Sequence, residues 1–304
     1  KRRIGVFPMS RIVIALGGNA LGNTPEEQQQ MIAHAAPSLV GLIKEGHQII
    51  VSHGNGPQVG MIGLAFDTAE KLNDKVAHLE LPECAAMSQG YIGYHLQKGI
   101  AQELHKEGLS LHTATVITQS LVDKNDPAFQ RPTKPIGSFY TQEEAQALIK
   151  QNPGMTFAED AGRGWRRMVA SPIPTDIVEK EAILSLVDNG FIVIACGGGG
   201  IPVVETSPGC YQGVPAVIDK DFANARLAQL VGADYLFILT AVDRVAINGG
   251  KPNQEFLESM TVEQAKQLCK EGHFAPGSML PKVEAAIQFA QAAPGNRAVI
   301  ASLE

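Results

Sequence analysis

Three lysines stand where an ammonium can do more than solvate a surface. Lys220 lies in Ile218-Asp219-Lys220-Asp221, where a helix begins and its dipole adds to the attraction for an anion. Lys282 follows Pro281 in the first turn of another helix, just after Gly277-Ser278, and Lys134 sits between Thr133 and Pro135 in a turn-rich stretch. One lysine alone is usually a solvated charge. Three at turns and helix starts are the set that would neutralise a phosphoryl group in transfer. Asp221 has three readings: it holds two lysines in place, it sits near Mg²⁺, or it is an ordinary first-turn acid.

Glycine supplies the complementary feature. It accounts for 31 of 304 residues, about a tenth where about 7% is ordinary. Gly17-Gly18-Asn19, Gly54-Asn55-Gly56 and Gly197 to Gly200 each follow an apolar run, so main-chain N–H groups there can approach an anion with no Cβ in the way. Turns between strand and helix take glycine for purely conformational reasons too, but four in succession exceed what a turn needs. No G-x-x-x-x-G-K-[ST] occurs, which excludes a P-loop. Gly54-Asn55-Gly56-Pro57-Gln58-Val59-Gly60 imitates a dinucleotide fingerprint with its last spacing one residue too long, and no acidic strand end comes about 20 residues on. Gly162-Arg163-Gly164-Trp165-Arg166-Arg167 is the one dense basic cluster; it reads as an anion clamp or as packing with cation–π contacts. The histidines show no metal-ligand spacing.

The elements that must position these residues alternate. Ile12 to Leu16 and His47 to Ser52 read as buried strands, joined by a helix that opens on the capping box Thr24-Pro25-Glu26-Glu27 and carries Pro37 as an expected kink. Further helices are expected over Pro82–Glu107, Asp176–Asp188, after Asp219, over Thr261–Lys270 and over Leu280–Ala292; strands over Thr113–Val122, Phe191–Cys196, Tyr235–Leu239 and Arg297–Ser302. This order predicts an α/β fold with a mainly parallel sheet and helices on both faces. Asp123 to Pro174 breaks the rhythm with Asp126-Pro127, Arg131-Pro132, Lys134-Pro135 and Ser171-Pro172, and reads as an inserted subdomain or lid.

Composition narrows the classes. A hydrophobic share of 44% allows a sizeable core, and a net charge of −6 without a basic block argues against nucleic acid as partner. Charged residues make up 18%, below the roughly 25% of an average soluble chain, which suggests that part of the surface is covered by another subunit. Cys84, Cys196, Cys210 and Cys269 have no C-x-x-C spacing and fit reduced cytosolic thiols. No apolar run approaches the roughly 20 residues that cross a bilayer. Residues 1–8 read as a tag remnant or short arm ahead of Met9.

Taken together, Ala-Leu-Gly-Gly-Asn-Ala-Leu (15–21), His-Gly-Asn-Gly-Pro-Gln-Val-Gly (53–60), Ser-Gln-Gly-Tyr-Ile-Gly-Tyr (88–94), Asp-Pro-Ala-Phe (126–129) with Pro-Thr-Lys-Pro-Ile-Gly (132–137), Glu-Asp-Ala-Gly-Arg-Gly-Trp-Arg-Arg (159–167), Gly-Gly-Gly-Gly-Ile-Pro-Val (197–203), Ala-Val-Ile-Asp-Lys-Asp (216–221) and Pro-Gly-Ser-Met-Leu-Pro-Lys-Val (276–283) resemble the carbamate kinases of the amino acid kinase superfamily. The resemblance runs from about Arg11 to the end. It implies one domain over 11–304, a three-layer αβα sandwich around a mainly parallel sheet with the 123–174 segment protruding as a lid, and a cytoplasmic homodimer. The implied reaction is reversible phosphoryl transfer between ATP and carbamate, with Mg²⁺ accompanying the nucleotide and no protein-bound organic cofactor or metal. By motif, Gly17, Gly18, Asn19, Gly54, Asn55 and Gly56 would hold carbamate and the transferring phosphoryl. Lys220 and Lys282 would flank that phosphoryl, Asp221 would orient them, and Lys134 would enter from the lid. Gly197, Gly198, Gly199, Gly200, Ala241, Val242, Gly277, Ser278 and Met279 would surround the nucleotide. Ala15 stands where sister kinases carry Lys in a K-x-G-G turn, Gly249 replaces an aromatic usual in the family, and the chain ends at Glu304 short of an expected final strand. A paralogue acting on another small carboxylate or phosphonate, and a non-catalytic nucleotide sensor, are the alternatives.

Overall fold

The computed structural model describes residues 9–17, 21–22, 24–160, 162–240, 242–249 and 253–302. Residues 1–8, expected to be an arm, lie outside that set. A six-stranded, wholly parallel sheet forms the centre in the order β15 (Arg297–Ser302), β12 (Tyr235–Thr240), β1 (Arg11–Leu16), β2 (Gln48–His53), β9 (Ile192–Ile194), β3 (Thr113–Thr115).

The apolar runs of these strands feed two cores, because successive side chains point to opposite faces. Ile12, Ile14, Leu16, Ile49, Val51, Ile192 and Ile194 face one side, against Ile32 and Leu39 of α1 (Pro25–Lys44) and Ile92, Leu96 and Ile100 of α3 (Leu81–Lys106). Val13, Ile50, Val193, Leu236 and Ile238 face the other, against α5 (Lys180–Asp188), α6 (Lys220–Leu230) and α8 (Met279–Ala290). A sheet covered on both faces explains strands that read as unbroken hydrophobic runs. The expected three layers are therefore present, and α7 (Val262–Lys270) packs beside α8 through Ala265, Phe274 and Val283. A short hairpin, β13 (Ala246–Ile247) with β14 (Glu255–Phe256), lies next to it.

A second, mixed sheet runs β11 (Cys210–Gly213), β10 (Ile201–Ser207), β4 (Gln119–Val122), β8 (Pro174–Ile177). Val122 pairs with Pro174, so the chain between them leaves and returns at neighbouring points. Within that excursion, β5 (Lys134–Tyr140), β7 (Trp165–Val169) and β6 (Thr156–Glu159) make a separate antiparallel sheet backed by α4 (Gln142–Gln151).

Three expectations require correction. The strand expected over Thr113–Val122 is two strands in different sheets, β3 and β4, because Thr118 between them is held in a buried network: its N–H donates to Gln89 Oε1 (2.8 Å), its carbonyl accepts from Gln89 Nε2 (3.0 Å) and its hydroxyl oxygen accepts from the Cys196 N–H (3.0 Å). The helix expected from Asp176 starts at Lys180, since 174–177 are drawn into β8 by pairing with β4. Finally, α2 (Gly56–Leu72) is a helix that the sequence marks only by the glycine turn at its start. Its buried residues are just Gln58, Val59 and Gly63, so it lacks the apolar stripe that marks a core helix.

Candidate active site

The start of α6 gathers the charged residues. Asp219 is its N-cap: Oδ1 accepts from the Asp221 N–H (2.9 Å), satisfying one of the helix's orphan donors. The other carboxylate oxygen of Asp219 accepts from the Lys134 ammonium at 2.5 Å, so the first residue of β5 is tied to the first turn of α6. Asp221, 3% exposed, accepts from Lys220 on Oδ1 and from Lys282 on Oδ2, the latter at 2.9 Å. Lys282 is brought there by the packing of α8 on α6, through Ala285 and Phe289 against Ala225, Leu227 and Ala228. Asn224 Nδ2 donates to the Lys220 carbonyl (2.7 Å) one turn on. Three lysines from three separate elements thus converge on two aspartates.

Electrostatics favour the ionised form of Asp221. Burial pushes the Asp221 carboxyl up, but the ammoniums of Lys220 and Lys282 outweigh it and bring it down to about 2. Burial, and then the neighbouring Lys220 charge, push Lys282 down, opposed by Asp221. The five side chains carry three positive and two negative charges, leaving one net positive charge at a helix N-terminus. A net positive charge at a helix start is electrostatically favourable to an anion. Of the three readings of Asp221, the geometry matches the first, since both its oxygens are engaged by lysines. Asp219, which had no assigned role, is the residue that sequence reasoning missed. Its place at the helix start was legible as a cap, but its partner Lys134 is 85 positions away.

The glycine turns divide. Gly17 ends β1 half-buried, while Gly18 and Asn19 lie outside the described residues, as does Ala241. The Gly54 N–H donates to the Leu16 carbonyl (3.0 Å), so this amide, expected to hold an anion, is engaged by the main chain instead. Gly56 opens α2, where first-turn N–H groups have no intrahelical acceptor. Asn55 precedes it but makes no side-chain cap; its Nδ2 donates to Ser88 Oγ (2.8 Å), anchoring the turn to α3. Beside them His53 is fully buried, its Nδ1 donating to the Gly54 carbonyl (2.9 Å), and burial pushes it down to about 4, so it is a neutral core histidine.

Gly197 to Gly200 are all buried. A Cβ at Gly198 would fall 2.1 Å from Asn55 Nδ2, at Gly199 2.7 Å from the Ile218 carbonyl oxygen, and at Gly200 2.3 Å from Ser120 Oγ, with φ of +65°, +92° and +85°. Close contact with the protein itself therefore requires these glycines, whatever binds above them. Gly277 and Ser278 are exposed, Val242 is exposed, and Met279 is half-buried at the start of α8. Gly249 is exposed, with open space where a side chain would stand. The basic cluster packs: the Arg163 and Arg166 guanidiniums lie 5.0 and 5.1 Å from the Phe139 ring centroid and both donate to Asp160 Oδ2 at 3.2 Å.

The amino acid kinase family profile matches residues 10–302. A carbamate kinase of Clostridium perfringens (strain 13 / Type A) is 53% identical over 298 residues, covering 96% of this chain and 94% of that protein. A "carbamate kinase-like protein" of Escherichia coli (strain K12) is also 53% identical, over 293 residues, with the same coverage of both chains. The solved structure of carbamate kinase from Giardia lamblia bound to AMP-PNP superposes with a TM-score of 0.87 at 42% identity, covering 97% of this chain and 94% of that one.

Proposed function

Because this chain belongs to the amino acid kinase family and shares about half of its residues with carbamate kinases over nearly its whole length, we infer that it is a carbamate kinase. It transfers a phosphoryl group reversibly between ATP and carbamate: the bond from the γ-phosphorus to the ADP oxygen breaks and one to a carbamate oxygen forms. Carbamate brings an oxygen that is already deprotonated, so no strong base is required and rate enhancement comes from positioning and charge stabilisation. The observation that carries this reading is the convergence of Lys134, Lys220 and Lys282 on Asp219 and Asp221.

In this mechanism each ammonium uses one hydrogen on an aspartate and keeps others for phosphoryl oxygens. Lys220 and Lys282 flank the transferring group, Asp221 fixes their separation, and Asp219 holds Lys134 over the same site. Carbamate lies against Gly17, Gly18, Asn19 and the Gly56 amide; the nucleotide lies along Val242, Gly277, Ser278 and Met279, above the glycine turn. Residues 123–174 act as the lid that carries Lys134. Mg²⁺ would accompany the nucleotide and neutralise charge on its phosphates, while the Asp221 oxygens face Lys220 and Lys282.

A homodimer in the cytoplasm completes the reading. Leu111 and Ile117, 38% and 44% exposed, flank the edge strand β3, a surface suited to a second copy. No helix among the described residues is long and apolar enough to cross a membrane. The test is a coupled assay of ATP formed from ADP and carbamoyl phosphate. Robust ATP formation is expected; none from folded protein would move the reading to the paralogue or the sensor.

A further inference from the structure

α2 and β5 meet backbone to backbone, with Gly60 so close to Gly137 that a Cβ on Gly60 would fall 2.0 Å from Gly137 Cα. Beside this joint the helix and the lid sheet part to form a cleft of about 330 Å³, walled by Val59, Leu64, Ile136, Leu148 and Phe157. A second hollow of about 210 Å³ adjoins it and shares Gly63, Asp67, Leu81, Met155 and Arg167. Neither hollow contains any of the lysines or aspartates of the phosphoryl site.

Three charged groups distinguish this cleft. Lys71, at its rim, is turned to Gln151 Oε1 (3.5 Å) across the gap between α2 and α4. The side chains of Asp67 and Arg167 line both hollows, are half-buried, and close no hydrogen bond or ion pair on each other or on any other described residue, though both charges reach Cys84 and Tyr140 and Asp67 also lies near His78. A half-buried guanidinium with no carboxylate in contact keeps its donors free for an anionic ligand. An opposed carboxylate and guanidinium in one apolar cleft match a small molecule bearing an ammonium and a carboxylate. The carboxylate of Asp67 accepts from the ammonium, the Arg167 fork donates to the carboxylate, and the apolar wall covers the skeleton. We propose that the cleft between α2 and the lid sheet binds a small zwitterion of the α-amino-acid class with an aliphatic side chain. Its occupancy bridges the helix that begins at Gly56 and the strand that begins at Lys134.

Isothermal titration of the intact protein with L-leucine tests this, with 4-methylpentanoate and 3-methylbutylamine as single-charge analogues. The expected result is saturable one-site binding with Kd on the order of 1 mM or tighter, and each analogue at least ~10-fold weaker, as expected when a hydrogen-bonded charge pair is lost. Asp67→Asn and Arg167→Met should each weaken leucine at least ~10-fold. Asp67→Asn alters a half-buried helix surface without changing its shape, so it serves even if Arg167→Met fails to fold. Leucine should also slow amide exchange over residues 134–140. No saturable binding, equal binding of either analogue, wild-type affinity in Asp67→Asn, or unchanged exchange in 134–140 would each overturn the proposal. Binding is read without turnover, so this outcome and that of the ATP-formation assay are independent.

Discussion

Asp221→Asn is the most informative single change. The carboxylate is 3% exposed and accepts from Lys220 on one oxygen and Lys282 on the other. Its pKa lies at about 2 against an ordinary 3.8, and since one unit is worth 1.36 kcal/mol, the ionised form contributes about 2 kcal/mol to stability at neutral pH. The folded value lies below the unfolded one, so this contribution is complete above pH 3.8 and drains away as pH falls through about 2; at pH 3 about half remains. Asparagine keeps the shape and can still accept from one lysine, but leaves two adjacent ammoniums with only the more distant Asp219 as counter-charge. Breaking a buried pair from one side costs about 3–5 kcal/mol, so the variant should lose about 2–4 kcal/mol in urea unfolding at pH 7. The difference from wild type should shrink as the pH is lowered toward 3. Turnover should fall ~10²-fold. Lys282, already pushed down by burial and by Lys220, would lose the main group that opposes this shift, keeping only Asp219, so the activity of the variant should decline at a lower alkaline pH than that of wild type. Unchanged stability together with an unchanged alkaline limb would refute the role given to Asp221.

Other substitutions separate chemistry from packing. Lys220→Ala should still fold, with some loss of stability because Asp221 keeps only Lys282, and lower turnover at least ~10²-fold, the scale of one preorganised donor; near-normal turnover in the ATP-formation assay removes it from the mechanism. Asp219→Ala removes a helix cap worth ~1 kcal/mol and frees Lys134, so urea unfolding should show that loss alongside a ~10-fold fall in turnover from a mispositioned lysine; full activity would show that the Lys134 tether is dispensable. Gly198→Ala drives a Cβ to 2.1 Å from Asn55 Nδ2 at φ +65°, whereas Gly277→Ala at φ +75° meets open space. The first should cost upwards of ~2 kcal/mol and the second ~1 kcal/mol, and equal values would contradict the packing account of the buried turn. Ile117→Lys should yield monomers by light scattering from a dimeric wild type, and a monomeric wild type would dismiss the interface at β3.

The legible part of the fold consists of elements whose signals are local. Ile12 to Leu16 followed by glycine, and the Thr24 box whose hydroxyl and Glu27 carboxylate satisfy each other's main-chain amides, need nothing beyond a few neighbouring residues to be recognised. Thr261 with Gln264 repeats the pattern at α7. The misread elements are those fixed by distant partners. The break at Thr118 depends on Gln89, and β8 exists because Leu121 and Val122 pair with 174–176. α2 packs on β5 and α3 outside the two main cores and buries only Gln58, Val59 and Gly63, so its sequence shows no stripe.

The site divides the same way. The residue types proposed to handle phosphate, the three lysines and the turn glycines, were legible in the sequence alone, because each sits in a recognisable local setting. Which charges face one another was decided only by tertiary structure: Lys134 on Asp219 and Lys282 on Asp221 span 85 and 61 positions, and no local rule predicts such pairs. Tertiary contacts also divided the glycines between roles. The Gly54 amide is taken by β1, and Gly198 to Gly200 are required by Asn55, Ile218 and Ser120. A glycine that admits an anion and a glycine that admits another part of the chain look alike in sequence, since both are simply the absence of a Cβ. Only the packing around each one tells them apart.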